Sequence, residues 1–160
     1  MGESNVVFLL AIGIGVVAGL RSMTAPAIVS WAATTGWLNL HGSPFAFMGS
    51  TVTVLITSLL AVGELIADKL PIIPKRTALA PLLARIVVGG LCGTCLCAAA
   101  HQPLVIGALF GGAGAVAGAF GGYTVRKNLV SKLKIKDVLV AIPEDVIAIG
   151  LACVLVSLAR

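Results

Sequence analysis

Charge is scarce in this chain, and where it occurs it interrupts long apolar runs. Glu64 and Asp68 close one such run, Arg85 opens the next, Arg126 ends it, and Glu144 and Asp145 stand at the head of the last. Carboxylates in apolar surroundings bind cations or relay protons, and guanidinium groups compensate them or meet anions. The same residues also suit a structural lock in which opposite charges staple helices together. Both chemistries require these groups to gather, so the sequence predicts one ionic cluster: Glu64, Asp68, Glu144 and Asp145 against Arg85 and Arg126, with Lys69 at its rim. Arg21 is expected at the opposite end of the molecule, as a headgroup anchor or a greeting point for an anion.

Other candidate chemistry is thinner. Cys92, Cys95, Cys97 and His101 have the residue types of a metal site, but a straight helix sends Cys92 and Cys95 to one face and Cys97 and His101 to another. The cysteines read as small buried hydrophobes, and no metal or other cofactor is specified. His41 reads as solvated. Gly13–Gly19 and Gly112–Gly118 match a dinucleotide fingerprint superficially, but no strand precedes either. No nucleophile–base arrangement is discernible, so no enzyme activity is expected.

The elements that must position these groups follow from composition. Of 160 residues, 59% are hydrophobic and 11% charged, with a mean hydropathy of +1.10. Soluble domains carry about 25% charged residues. The composition argues against a soluble enzyme and against disorder, and the fold expected is an all-α, polytopic membrane helix bundle forming one domain over 1–160. A spanning helix needs about 20 apolar residues. Five spans are predicted at 5–21, 47–70, 80–100, 103–125 and 138–158, with a half-helix or re-entrant segment at 24–38 whose entry is Ala25-Pro26. The first segment lacks the basic start of a signal peptide and is read as a retained span. Ser50, Thr53, Thr57, Ala61, Glu64 and Asp68 fall at three- and four-residue steps, a polar stripe aimed at the bundle interior.

Eight of the 11 basic residues lie in the 69–76 and 126–137 connections, which five spans place on the N-terminal side. That side is expected to be cytoplasmic. The net charge of +5 is read as topology and anionic-lipid contact, not nucleic-acid binding. A sixth span at 24–38 would keep the basic connections together and move only the N terminus outside.

Glycines recur at helical spacing: Gly15 and Gly19, Gly89 and Gly93, and Gly107, Gly111, Gly114, Gly118 and Gly122. Such stripes let helices approach closely in lipid. Gly13–Gly19 echoes Gly112–Gly118, and in the five-span topology the copies run oppositely, as an inverted pseudo-repeat would.

In order and spacing, Gly19-Leu-Arg-Ser22, Gly63-Glu-Leu-Ile-Ala-Asp-Lys-Leu-Pro71, Ala84-Arg85, Gly121-Gly-Tyr-Thr-Val-Arg126 and Glu144-Asp145-Val-Ile-Ala148 resemble the bacterial membrane family called domain of unknown function 4126. The resemblance spans nearly the whole chain. It implies a bacterial inner-membrane protein, assigns no activity, and directs attention to Arg21, Glu64, Asp68, Arg85, Arg126, Glu144 and Asp145. The leading expectation is a transporter or channel for a small ion or solute, a homo-oligomer in contact with membrane lipids. The alternatives are an accessory subunit of a larger membrane complex and a lipid-binding membrane protein.

Overall fold

The computed structural model describes residues 2–67, 79–133 and 137–159. The described residues form six α-helices and no strand: α1 Gly2–Leu20, α2 Thr24–Thr34, α3 Thr51–Ala67, α4 Leu79–Ala99, α5 Leu104–Leu133 and α6 Asp137–Leu158. A single 3₁₀ turn, Ala46–Gly49, precedes α3. Two helices, α4 and α5, are long and apolar enough to cross a membrane, while α3 and the apolar part of α1 are shorter.

The breaks have local causes. Pro26 lies in the first turn of α2, where its ring conflicts with the carbonyl four residues back and stops α1 from running on. Gly36, with φ +79°, ends α2 in the left-handed conformation, and Trp37 N–H closes back onto the Ala32 carbonyl at 2.8 Å. His101, with φ 54°, ends α4 in the same manner through Gln102 N–H to Cys97 O at 2.7 Å. Pro103 follows directly and enforces the turn into α5.

Glycines set the packing at the centre. A Cβ on Gly15 would collide with the Gly111 backbone, and one on Gly19 with Ala115 and Gly118. A Cβ on Gly93 would strike the Gly107 carbonyl, and one on Gly111 the Gly89 carbonyl. Helices α1, α4 and α5 thus meet backbone to backbone, as the glycine stripes predict.

These contacts also fix direction. Gly15 meets Gly111 and Gly19 meets Ala115, so α1 and α5 run parallel. The inverted arrangement expected for the two glycine segments is therefore corrected: they lie side by side and point the same way. Helix α4 is antiparallel to both, and α6 is antiparallel to α1, with Leu155 against Gly13 and Asp145 against Arg21.

Helix α2 folds back along α1. Its start is beside Arg21, while Thr35 beyond its end shares a groove wall with Cys153 and Val156 of α6. The segment expected to be a half-helix at 24–38 is helical only over Thr24–Thr34, and with α1 it forms a helical hairpin whose tip is 21–23. One consequence is a second correction. Helix α1 begins at the end opposite to the one where α5 finishes, whereas five spans put the N terminus on the side of the basic connections. The alternative with 24–38 as a crossing element has the observed parity.

The connection from 35 to 50 closes the far end of the bundle. Leu38, Leu40 and Met48 are buried there in the core formed by Ile14, Val17, Val29, Leu96 and Val156. Trp31 donates its indole N–H to Ser58 Oγ at 3.1 Å, and Thr34 Oγ1 donates to Gly49 O at 3.0 Å, which ties α2 to the middle of α3 and to the turn before it.

Candidate functional site

The hairpin tip is where the charges gather. Helix α1 stops at Leu20, leaving its last carbonyls without helical partners. Arg85 of α4 supplies donors: Nη1 binds the Gly19 carbonyl and lies 3.4 Å from Leu20 O. A cation at the end of a helix also complements its dipole. Arg85 follows Leu79 by six residues, about 9 Å along α4, and is 5% exposed.

The start of α2 has the reverse need. Its N-cap residue, Met23, makes no side-chain capping bond. Glu64 of α3 provides the missing acceptor from outside. Its Oε1 receives Ser22 N–H at 2.9 Å and Ser22 Oγ–H at 2.8 Å, and its Oε2 receives Met23 N–H at 2.8 Å. Charge-assisted bonds of this kind are roughly twice as strong as neutral ones. Glu64 Oε1 also stands 3.7 Å from Arg85 Nη2. One carboxylate and one guanidinium therefore satisfy both sides of the helix break and attract each other.

Arg21 occupies the break itself. It is 0% exposed and paired with Asp145, which is 9% exposed. A buried charge is tolerable only when paired. This overturns the expected position of Arg21 at the opposite end: the hairpin turns at its residue and brings it into the layer of Glu64, Arg85 and Asp145. Pro143 lies inside α6 just before Glu144 and Asp145, where it removes one backbone donor. Arg126 Nη1 lies 3.7 Å from Glu144 Oε2, linking the far part of α5 to α6.

Among the described residues, the predicted cluster includes the pairs Arg21–Asp145, Arg85–Glu64 and Arg126–Glu144 at a shared depth. The first is sealed between α1 and α6. The last borders a groove of about 320 Å³ between α1, α5 and α6. Asp68 and Lys69 lie outside the described residues. The polar stripe holds along α3 in part: Thr53, Thr57, Ala61 and Glu64 are half-buried, while Val52, Leu55, Leu59 and Ile66 are exposed, and Ser50 at its start is exposed rather than turned inward.

Sequence reasoning missed Ser22 as a contributor. Its signals are its place in the Gly19-Leu-Arg-Ser22 stretch and its position next to Arg21, two residues before α2 begins at Thr24. Cys92, Cys95 and Cys97 are all buried in or beside the glycine-lined contact, and Cys153 is exposed. Among the described residues, His, Cys, Asp and Glu side chains form no group able to hold a metal ion. His41 is exposed in the 35–50 connection.

A helical domain with a charged layer at the tip of a helical hairpin is the class that the fold and site define. The family described as Domain of unknown function (DUF4126) matches residues 8–159, and the chain belongs to that family. No curated relative and no solved structure matches it.

Proposed function

We propose that this chain is a small multi-pass protein of the bacterial inner membrane that moves a small ion or solute, with Glu64 as the group that senses the cargo. Large apolar side chains face outward on every long helix, including Leu9, Leu59, Leu79, Val87, Val105 and Val146. Patches of that extent on a protein exterior call for lipid or another protein. The basic connections face the cytoplasm, which puts the N terminus and the 35–50 connection outside.

The observation that carries the reading is the hold on α3. This helix packs along α2 and the 3₁₀ turn, and at its inner end Glu64 fastens it to Ser22, Met23 and Arg85. Discontinuous helices whose ends meet ions recur in transporters. Here protein side chains occupy both helix ends at rest. A proton or cation on Glu64 weakens its attraction to Arg85 and its bonds to the α2 start, and α3 swings from the hairpin. The layer then opens to water between α3 and the hairpin. We read its role as transport, and a homo-oligomer supplies the remaining wall.

The test is flux in liposomes loaded with reporters for H⁺, Na⁺ and K⁺. The wild-type protein is expected to pass at least one of these well above empty vesicles, and Glu64→Gln, whose side chain is permanently uncharged, to raise that flux and remove its dependence on pH. Wild-type flux equal to empty vesicles for every reporter defeats the proposal. The exposed apolar face of α3 favours one other reading, an accessory subunit docked on a larger complex. Purification in mild detergent with a stoichiometric second protein would favour it.

A further inference from the structure

Both tryptophans of the chain, Trp31 and Trp37, and two of its five phenylalanines, Phe45 and Phe47, lie between positions 31 and 47, inside the uncharged stretch 22–63. Trp31, Trp37 and Phe47 are exposed, while Leu38, Leu40 and Met48 are buried in the core. The 35–50 connection is thus held against the end of the bundle with aromatic rings on its outside. Trp31 and Trp37 border one groove of about 230 Å³ between α2 and α6, and its lining contains no charged residue.

The chemistry of this surface is mixed. Trp31 commits its indole N–H to Ser58, which leaves the exposed part of its ring apolar. Thr34, Thr35, Asn39 and His41 are exposed around the rings. Rings set among neutral polar groups suit neither open water nor the acyl core. They suit the boundary between headgroups and acyl chains, where tryptophan is enriched.

Depth gives an independent argument. Trp31 follows the start of α2 at Thr24 by seven residues, about 10 Å, and Ser58 precedes Glu64 by six, about 9 Å. Val156, which borders the groove, is eleven residues, about 16 Å, beyond Asp145. On the other side of the charged layer, α6 begins at Asp137, eight residues or about 12 Å before Asp145, next to the basic 126–137 connection. The tryptophans and the basic connection therefore stand about as far apart as the two faces of a hydrocarbon core of about 30 Å. A surface shaped for a protein partner has no reason to fall at that spacing.

We propose that Trp31 and Trp37 seat in the headgroup–acyl boundary of the leaflet opposite the basic connections, and so hold the Arg21–Asp145 and Glu64–Arg85 layer near the middle of the bilayer. The inference rests on the membrane reading above and not on transport. It gives the layer the depth at which transporters of broken-helix type place their sites.

Tryptophan fluorescence of the full chain in phosphatidylcholine vesicles tests this, because the chain has no other indole. Bromines on the acyl chain near the headgroup should quench wild-type emission about twofold more than bromines near the methyl end, and iodide in the water should quench it little. Trp31→Phe and Trp37→Phe should each keep that order. Val87→Trp, made in the Trp31→Phe/Trp37→Phe background at an exposed position two residues from Arg85, should reverse it. Strong quenching by iodide without quenching by bromines puts the pair in water and overturns the proposal. Protection from both quenchers means that protein covers the pair, a second copy or another chain, and overturns it equally. Strongest quenching of wild type by the deepest bromines, or of Val87→Trp by the shallowest, contradicts the depth assigned to the layer. Protein that does not float with the vesicles defeats the membrane reading itself, and this inference with it. No flux is measured, so failure of transport alone leaves these outcomes unchanged.

Discussion

Helices α1, α4 and α5 touch through backbone atoms, whereas α3 touches its neighbours through side chains along one side. On the first set, glycines at 15, 19, 89, 93, 107 and 111 leave no room for even one more carbon. On α3, a Cβ at Gly63 would meet nothing within 4 Å, and among its residues only Val54 is fully buried. The contrast separates a rigid part from a part held at points. The rigid part fixes Arg85 and the hairpin tip in space. The other depends on Glu64 to remain against them, which is the arrangement a gate requires.

Several substitutions can break or sharpen that contrast. The largest effect is expected on the rigid side. Gly111→Leu drives a side chain into the Gly89 carbonyl, and no rotamer relieves a backbone collision. Loss of about 3 kcal/mol or more, or of folded protein altogether, should be seen by unfolding in detergent. A variant of wild-type stability would refute close backbone packing.

Arg21→Leu comes next. It takes a buried cationic partner from a nearly buried Asp145 carboxylate and should cost about 3–5 kcal/mol. The Arg21→Leu/Asp145→Leu double variant should recover most of that loss, because the buried charge left without Arg21 and not the missing pair is what destabilises. Failure to recover would mean that each residue serves a different partner.

Glu64→Gln is expected to be milder globally, about 1–2 kcal/mol, since the amide oxygen still accepts one hydrogen bond. Its signature is local. Amide hydrogen exchange should accelerate in α3 and at Ser22 and Met23, with α4 and α5 unchanged. Uniform acceleration would contradict point attachment. Gly63→Ala should have the smallest effect, a gain of about 0.5–1 kcal/mol from helix propensity alone, measured by the same unfolding curve. A loss there would show that α3 packs more closely than its open face indicates.

Much of this was legible in the residues. Glu64, Arg85, Arg126, Glu144 and Asp145 announced a common depth because each breaks an apolar run, and the glycine stripes announced close helix contact. The polar face of α3 followed from helical periodicity. Arg21 was misplaced for a specific physical reason. The uncharged run 22–63 conceals a helix of 11 residues, too short for span counting, and one uncounted reversal inverts the placement of everything before it. The likeness of Gly13–Gly19 to Gly112–Gly118 was real, but it reflects two faces that pack on each other rather than a symmetry of opposed halves. Leu38, Leu40 and Met48 gave little notice of their burial, because isolated apolar residues among Gly, Ser, His and Asn read as loop.

The account turns on whether α3 leaves the hairpin when Glu64 loses its charge. Spin labels placed on exposed positions of α3 and α4, through Leu59→Cys and Val87→Cys in a Cys153→Ser background, report that separation directly. The distance should be single in the labelled parent and should lengthen or become bimodal when Glu64→Gln is added. An identical distance distribution in both would contradict the latch and leave Glu64 as a helix cap alone.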